Sequence, residues 1–482
     1  MSHKTHLIPL FIAFALTACQ STNITANSHI TLPAAYEQNT AAQGSADISH
    51  WWQHWQDPVL NNLITQALEQ NLDIAIARSR LNETRATAQL AEADQGAQIG
   101  LGANLGHLDA NLQNPLSDSS RAALSQNPIG GALANGRIHN HNNILASSLN
   151  ASWEPDIFGQ KRSDADAARY ASLGSKEQMH GTQLLIAGNI ADNYFKARAI
   201  QAQQKNADDT IAILEQLQRY IEARYQAGHT TAYEKTEIQS RLSASKAQRS
   251  TLDAQYAAAV RNLAILSGRP PQDYQLPASP RDILKNPPVA PAGQTPQGLI
   301  ERRPDIRAHA AQIQAYAAKL ASAKADLLPR FSLNFLGQGV ISLDGENSLK
   351  GWADLLSAGI QLPIFTNGRI QANIEAADAR LKTALLQYDQ TLLQALADVE
   401  NAYQTTSSLT TQQQLLQEAR DSAQQQATDA EKLYRYGDKT LADTLSARLN
   451  ASQADAALIQ NQLAHAQALI GLYKALGGGW TP

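Results

Sequence analysis

The sequence predicts an α+β membrane protein whose protomer is two copies of one unit, each reading helix, strand, strand, long helix, turn, long helix. Three observations predict it: where proline is missing, where the chain repeats itself, and where apolar residues alternate. No proline occurs from Asp156 to Arg269 or from Ile364 to Thr481, whereas eight crowd between Pro270 and Pro296. Proline removes a backbone donor and clashes with the preceding helical turn, so the proline-free tracts are the ones open to long helices. Apolar residues recur there at helical spacing: Leu252, Tyr256, Ala259, Leu263 and Leu266 in one tract, and Leu381, Leu385, Tyr388, Leu392, Ala395 and Val399 in the other. Such stripes are the seams of packed helices.

The repeat fixes the organisation. Leu72-Asp73-Ile74 recurs as Pro304-Asp305-Ile306, and Asp94 as Asp326, both 232 positions later; Ile157-Phe158 recurs as Ile364-Phe365 at 207, and Gly228 and Gly268 as Gly437 and Gly477 at 209. The offset falls by 232 − 207 = 25, so the first copy carries an insertion of that size between its two strands. Gln113 to Asn142, rich in Asn, Ser, Gly and Ala, is the expected loop, suited to a cap facing the cell exterior.

Taken from the N-terminus, residues 1–18 read as an export signal: Lys4 supplies a charged start, Leu7 to Ala18 an uncharged, mostly apolar segment, and Leu16-Thr17-Ala18-Cys19 closes it as a lipoprotein signal does. Cys19, the only cysteine, is the expected site of lipid attachment, and a multiply acylated anchor gains ~0.8 kcal/mol per buried methylene. Gln20 in place of Asp resembles the sorting pattern for the outer membrane. Residues 19–50 are expected to be an anchored, extended tether.

Repeat 1 covers 51–269. Ile99, Leu101, Ala103 and Leu105 alternate with Gly100, Gly102, Asn104 and Gly106, and Leu149, Ala151 and Trp153 with Asn150, Ser152 and Glu154, predicting strands near 98–108 and 143–155. A helical hairpin follows with its tip near Gly228. A Pro-rich linker, 270–303, leads to repeat 2 at 304–477. There Phe331, Leu333 and Phe335, then Ile360, Leu362 and Ile364, predict strands near 329–342 and 352–366, and the second hairpin turns near Gly437. A short tail, 478–482, ends the chain.

Beyond the signal no run of apolar residues is long enough to span a bilayer as a helix, and a net charge of −4 argues against a nucleic-acid partner. A soluble sheet under helices would show the same alternation. The anchor and the helix lengths argue against it, since Gly159 to Ala227 would extend roughly 100 Å at ~1.5 Å per residue. Four strands cannot close a membrane barrel by themselves, and an open edge in lipid leaves amides unsatisfied. Several protomers must then share one barrel, with Gly100, Gly102, Asn104, Ser332 and Asn334 toward a wet lumen and Phe331 and Phe335 toward lipid.

These residues resemble the TolC-like outer-membrane factors, in the lipoprotein (NodT-type) branch that serves drug-efflux pumps. Trp51-Trp52, Asp57-Pro58, Leu60, Leu63-Ile64 and Ala67-Leu68 resemble its opening helix, and Trp153 to Gly159 its strand-to-helix signature. Leu299 to Arg307 followed by Ala323 to Pro329, and Pro363-Ile364-Phe365 with Gly368-Arg369, complete a match nearly end to end. Pro155 replaces the usual aliphatic residue and Gln160 the usual arginine, which puts local strand geometry in question. The resemblance implies a homotrimer, with a 12-stranded β-barrel in outer-membrane lipid continuous with a 12-helix periplasmic α-barrel. It also implies a periplasmic adaptor and an inner-membrane pump of the resistance-nodulation-division type as partners.

Each hairpin turns at a glycine followed by a capping sequence, Thr231 to Glu234 after Gly228 and Thr440 to Asp443 after Gly437. Turn chemistry alone accounts for these residues. The resemblance adds that the tips, with Arg224, Tyr225, Arg435 and Tyr436 beside them, meet the adaptor and close the tube. Asp443 falls at an acidic-ring position and Glu234 at the matching place in the first repeat, while the second acidic position holds Ser446. Lys439 and Tyr434 lie where family residues latch the closed state.

No constellation supports an enzyme. Ser243-Ala244-Ser245-Lys246 lies in a heptad helix without companion motifs, His139-Asn140-His141 lacks a third ligand, and Gly100-Leu101-Gly102 with Gly106 misses the dinucleotide spacing. No cofactor is implied beyond the lipid on Cys19. The expected function is a passive exit duct for small molecules such as drugs, with a duct for secreted polypeptides and a pore-less periplasmic scaffold as rivals.

Overall fold

The computed structural model describes residues 28–38, 43–113, 117–125, 137–343 and 350–480. The export signal and Cys19 lie outside the described residues, as do the side chains of His139 and His141. Two compact units emerge. One joins Ala86–Arg169 with Ala315–Leu381, and the other joins Thr25–Arg85, Tyr170–Gln314 and Lys382–Pro482.

In chain order a 3-10 turn at Trp51–Trp55 precedes α1 (Pro58–Gln70) and α2 (Leu72–Ala93). Then come β1 (Gln98–Gln113), α3 (Asp118–Ser125), β2 (Arg137–Trp153), α4 (Gln160–Gln226) and α5 (Ala232–Leu266). The second half follows with α6 (Pro296–Arg302), α7 (Pro304–Ala325), β3 (Arg330–Ser342), β4 (Lys350–Gln361), α8 (Arg369–Tyr436) and α9 (Leu441–Ala475).

The first unit holds one antiparallel sheet in the order β1-β2-β3-β4. β1 and β2 run further into the predicted loop than the alternation suggests and pair throughout, to Gln113↔Arg137. On β2 that stretch runs Arg137-Ile138-His139-Asn140-His141-Asn142-Asn143, with no apolar alternation to signal a strand. β4 stops at Gln361, two residues short of Pro363, which has no donor to continue a ladder. Below the sheet, Gln160 Nε2 and Arg330 both donate to Asp326 Oδ1 at 2.6 Å. Arg330 supplies the positive charge that Gln160 lacks, which is how the junction tolerates an amide there.

The second unit carries the main core, packed around Trp51, Leu60, Ile64, Ile190, Tyr194, Phe195, Leu263, Leu469 and Tyr473. The predicted seams are where the helices bury: Leu252, Ala259 and Leu263 in α5, and Leu392, Ala395 and Val399 in α8. The segment before Trp51 is fastened and not loose. Tyr36 and Ile48 are buried, Glu37 and Gln38 donate backbone N–H groups to the Glu400 carboxylate at 2.9 and 3.1 Å, and Gly44 bridges to the Pro-rich segment at Pro291. The chain end is clasped too. Trp480 stacks on His180 at 4.4 Å and lies 5.1 Å from the Arg307 guanidinium, while the Glu177 carboxylate contacts His180 Nδ1 at 3.2 Å and accepts from Arg307 at 2.7 Å. Burial alone would raise the Glu177 pKa; His180 and Arg307 outweigh it and hold the carboxyl below its ordinary range.

Candidate functional site: sheet faces and hairpin tips

Strand register decides which side chains share a face, because side chains alternate with period two. The ladder aligns Ile99, Ala151, Phe335 and Leu356 in one cross-strand row and Leu101, Leu149, Gly337 and Asp354 in the next. Phe331 with Ile360, and Leu333 with Trp153 and Ala358, continue the same face. Apart from Asp354 these rows carry no charge on any of the four strands, and the face is uncovered: Leu101 is 83% exposed and Leu356 75%. The opposite face aligns Gln98, Ser152, Asn334 and Ser357, then Gly100, Asn150, Leu336 and Leu355, then Gly102, Ser148, Gln338 and Ala353. Ser332 joins it opposite Gly359.

Glycine on that polar face has a steric reason. A Cβ at Gly100 would stand 2.8 Å from Asn150 Oδ1, so glycine lets the amide lie across the strand. The expected division of Gly100, Gly102, Asn104, Ser332 and Asn334 from Phe331 and Phe335 is thus the division the register makes. Sequence reading missed Trp352 and Asp354 on the apolar face. The period-two series Trp352, Asp354, Leu356, Ala358, Ile360 could have found them, but it was broken by the acid.

At the first tip Gly228 takes φ +76°, and His229 N donates to Arg224 O at 2.8 Å, closing α4. Thr231 and Glu234 then cap α5 reciprocally. Arg224 belongs to this turn's interior: it donates to Tyr220 Oη at 3.1 Å and to His229 O at 3.0 Å, so little of it is offered outward. Tyr225 lies under the Lys235 ammonium at 5.0 Å. Tyr233, not singled out from the sequence, is 76% exposed.

The second tip repeats the geometry. Gly437 takes φ +87°, Asp438 N donates to Leu433 O at 2.9 Å, and Thr440 and Asp443 form the capping box. Thr440 gives both its N–H (3.0 Å) and its hydroxyl (2.7 Å) to Asp443 Oδ2. Those bonds hold the Asp443 carboxyl below the usual carboxylate range, so the tip keeps its negative charge at neutral and mildly acidic pH. Arg435 pairs with Glu431 at 2.6 Å yet stays exposed, as do Tyr434, Tyr436 and Lys439, Tyr436 to 83%. The tips share a small apolar cluster of Ile213, Leu217, Ile238 and Leu445, which brings the two hairpins together there. Among the described residues no cluster suited to a metal ion occurs.

The profile of the family described as outer membrane efflux protein matches residues 63–269 and 295–478. The chain is 30% identical to the pyoverdine export outer membrane protein OpmQ of Pseudomonas putida over all of this chain and 98% of that one. It is 25% identical to the cation efflux system protein CusC of Escherichia coli O157:H7, covering 98% of each. The fold superposes on the outer-membrane channel OprN with a TM-score of 0.80 at 24% identity, covering 95% of this chain and 99% of that one. The chain is a channel component of the outer membrane, and its family is one of ducts and not of enzymes. With two helical hairpins, a four-stranded sheet with one oily face, and a profile match across both repeats, this chain belongs to the outer membrane efflux protein family.

Proposed function

We propose that three copies, each tethered by lipid at Cys19, form the passive exit duct of a tripartite pump whose adaptor and energised inner-membrane transporter, of the resistance-nodulation-division type, dock from the periplasm. The observation that carries this reading is the four-stranded sheet with one largely apolar face and two open edges, which only neighbours can satisfy in lipid. The named cargoes of its relatives, pyoverdine in one and cations in another, differ while the scaffold stays. That supports a duct whose pump selects, exporting small molecules such as drugs. Purified protein in a planar bilayer should give discrete conductance as a trimer and restore dye efflux to a strain lacking its duct; a non-conducting monomer rejects the reading.

The exposed residues at the tips, Tyr225, Gly228, Thr231, Arg435, Tyr436, Gly437 and Thr440, are the adaptor's contact surface in this proposal, with the half-buried Arg224 bracing its own turn beside them. Asp443 and Glu234 ring the opening, and Lys439 and Tyr434 restrain it. Three copies of Asp443 around a narrow axis attract cations. Asp443→Ala should move the reversal potential in asymmetric KCl toward zero, and Lys439→Ala should raise the resting conductance. Unchanged currents in both variants would remove the gate assignment. Cys19→Ala should abolish palmitate incorporation and leave the trimer's conductance intact, since the barrel and not the lipid forms the pore.

A further inference from the structure

One carboxylate breaks the apolar face of the sheet. Between the rows of Phe331 and Trp352, Asp354 is the only acidic residue at a position on that face, level with Gly337, Leu149 and Leu101. Its carboxylate has no ion-pair or hydrogen-bond partner among the described residues, and it stands on β4, whose far side is open. A charge facing lipid is unfavourable, so its partner must come from the strand that pairs there. This inference rests on the trimer reading, in which that strand is β1 of the next copy.

Geometry limits how β4 meets that strand. Along the rows, Ser357 is level with Gln98, the first residue of β1, so an unshifted seam would leave Ala358 to Gln361 without partners. Lys350 is level with Leu105, and β1 ends at Gln113. Full pairing of β4 therefore needs a shift of at least four and at most eight residues toward the end of β1. The shift must be even to keep the faces matched. For twelve strands at ~4.8 Å spacing and ~3.4 Å rise, shifts of four, six and eight per seam correspond to tilts of about 35°, 47° and 55°. Outer-membrane barrels tilt by ~35–45°, so eight falls about 10° outside while four and six lie within about 2° of that range.

Chemistry separates these two. A shift of four puts Asp354 opposite a leucine, Leu105. A shift of six puts it opposite His107, and in the same register sets Leu356 against Leu105, Ala358 against Ala103, Ile360 against Leu101 and, on the polar face, Ser357 against Asn104. A shift of eight would also have set Asp354 against Asp109. His107 is exposed on the same face and is oriented by a 2.9 Å contact of Nδ1 with Asn143 Oδ1. We propose that the barrel closes at a six-residue shift, with Asp354 of each copy facing His107 of the next on the membrane side of the seam.

Cysteine pairs read the register directly, since strands directly opposite place Cα atoms ~4.5–5.5 Å apart, within disulfide reach. In a background carrying Cys19 only, Ser357→Cys with Asn104→Cys should oxidise to a covalent trimer on a non-reducing gel, and Ser357→Cys with Gly102→Cys should not. The reverse result, or a trimer by mass photometry in which neither pair links, overturns the register while leaving the trimer standing. A monomer by mass photometry overturns both. For the pair itself, Asp354→His should lower the temperature at which the SDS-resistant trimer dissociates, and adding His107→Asp should restore it; failure of the exchange to restore it overturns the contact.

Discussion

Asp57→Ala is expected to cost about 4 kcal/mol of stability, the sum of a lost helix cap at ~1 kcal/mol and ~3 kcal/mol for the buried Tyr194 hydroxyl left unpaired, the upper end because the lost acceptor is a carboxylate. The half-buried Ser279 hydroxyl keeps the Arg281 carbonyl at 2.9 Å. Asp57 is fully buried. One carboxylate oxygen accepts the Val59 and Leu60 N–H groups at 2.7 and 3.3 Å and so starts α1. The other accepts the Tyr194 hydroxyl at 2.7 Å and the Ser279 hydroxyl at 2.8 Å, tying α1 to the long helix α4 and to the Pro-rich segment in one step. Burial first, and then the bond to Asp57, push the Tyr194 phenol up to about 12, so it remains a neutral donor at any working pH. Arg198 completes the cluster by donating to Tyr194 Oη at 3.3 Å and to Pro277 O. Asp57→Asn keeps an acceptor for the cap but turns an NH2 toward two hydroxyls, and should lose roughly half as much. Thermal unfolding followed by fluorescence of the adjacent Trp51, Trp52 and Trp55 measures it. Tyr194→Phe and the double variant close the cycle, and full additivity of the two single effects would refute the coupling.

How much of this was readable beforehand follows from what each signal depends on. The long helices were legible because proline placement and the Leu392, Ala395, Val399 seam are local and periodic, and the strands because Leu101 or Phe335 alternates with small polar neighbours. The tips were legible as turns, since Gly437 and the Thr440–Asp443 box announce themselves over seven residues. What stayed hidden is non-local. Asp57 was visible as part of a family-like dipeptide, but its partners lie 137 and 222 positions away. Tyr36 and Ile48 stand in a polar stretch without period, and only the fold shows that they are buried. Arg224 looked like surface and is spent on its own turn, because a carbonyl five residues ahead returns to meet it.

Arg303→Ala should have the next largest effect, about 3 kcal/mol, the lower end for breaking a buried ion pair because both carboxylate partners keep some contact with water. Where one helix of a repeat ends and another begins, a side chain has to splice them. In the first repeat Asn71 does this with neutral groups, donating Nδ2 to Leu266 O at 2.9 Å at the end of α5 and accepting Asp73 and Ile74 N–H at the start of α2. Position 303 lies 232 residues on, the repeat's own offset, and holds an arginine. It donates to Ala475 O at 3.2 Å at the end of α9, grips Asp305 at the start of α7 at 2.6 Å, and reaches Asp398 on α8 at 3.3 Å. The second splice therefore joins three helices where the first joins two, and it does so with charge. Burial would raise the Asp305 pKa, but the Arg303 bonds outweigh it and hold the carboxyl below its ordinary range. A depressed carboxyl contributes stability that is complete above its unfolded pKa and is lost as pH falls through the folded one. The gap in apparent Tm between the wild type and Arg303→Ala should accordingly be full at pH 7 and shrink below about pH 4. Arg303→Lys keeps the charge without the planar fork and should recover only part of the loss. A gap that does not change between pH 7 and pH 3 would mean that Arg303 acts by packing its stem, and that the charged splice contributes nothing of its own.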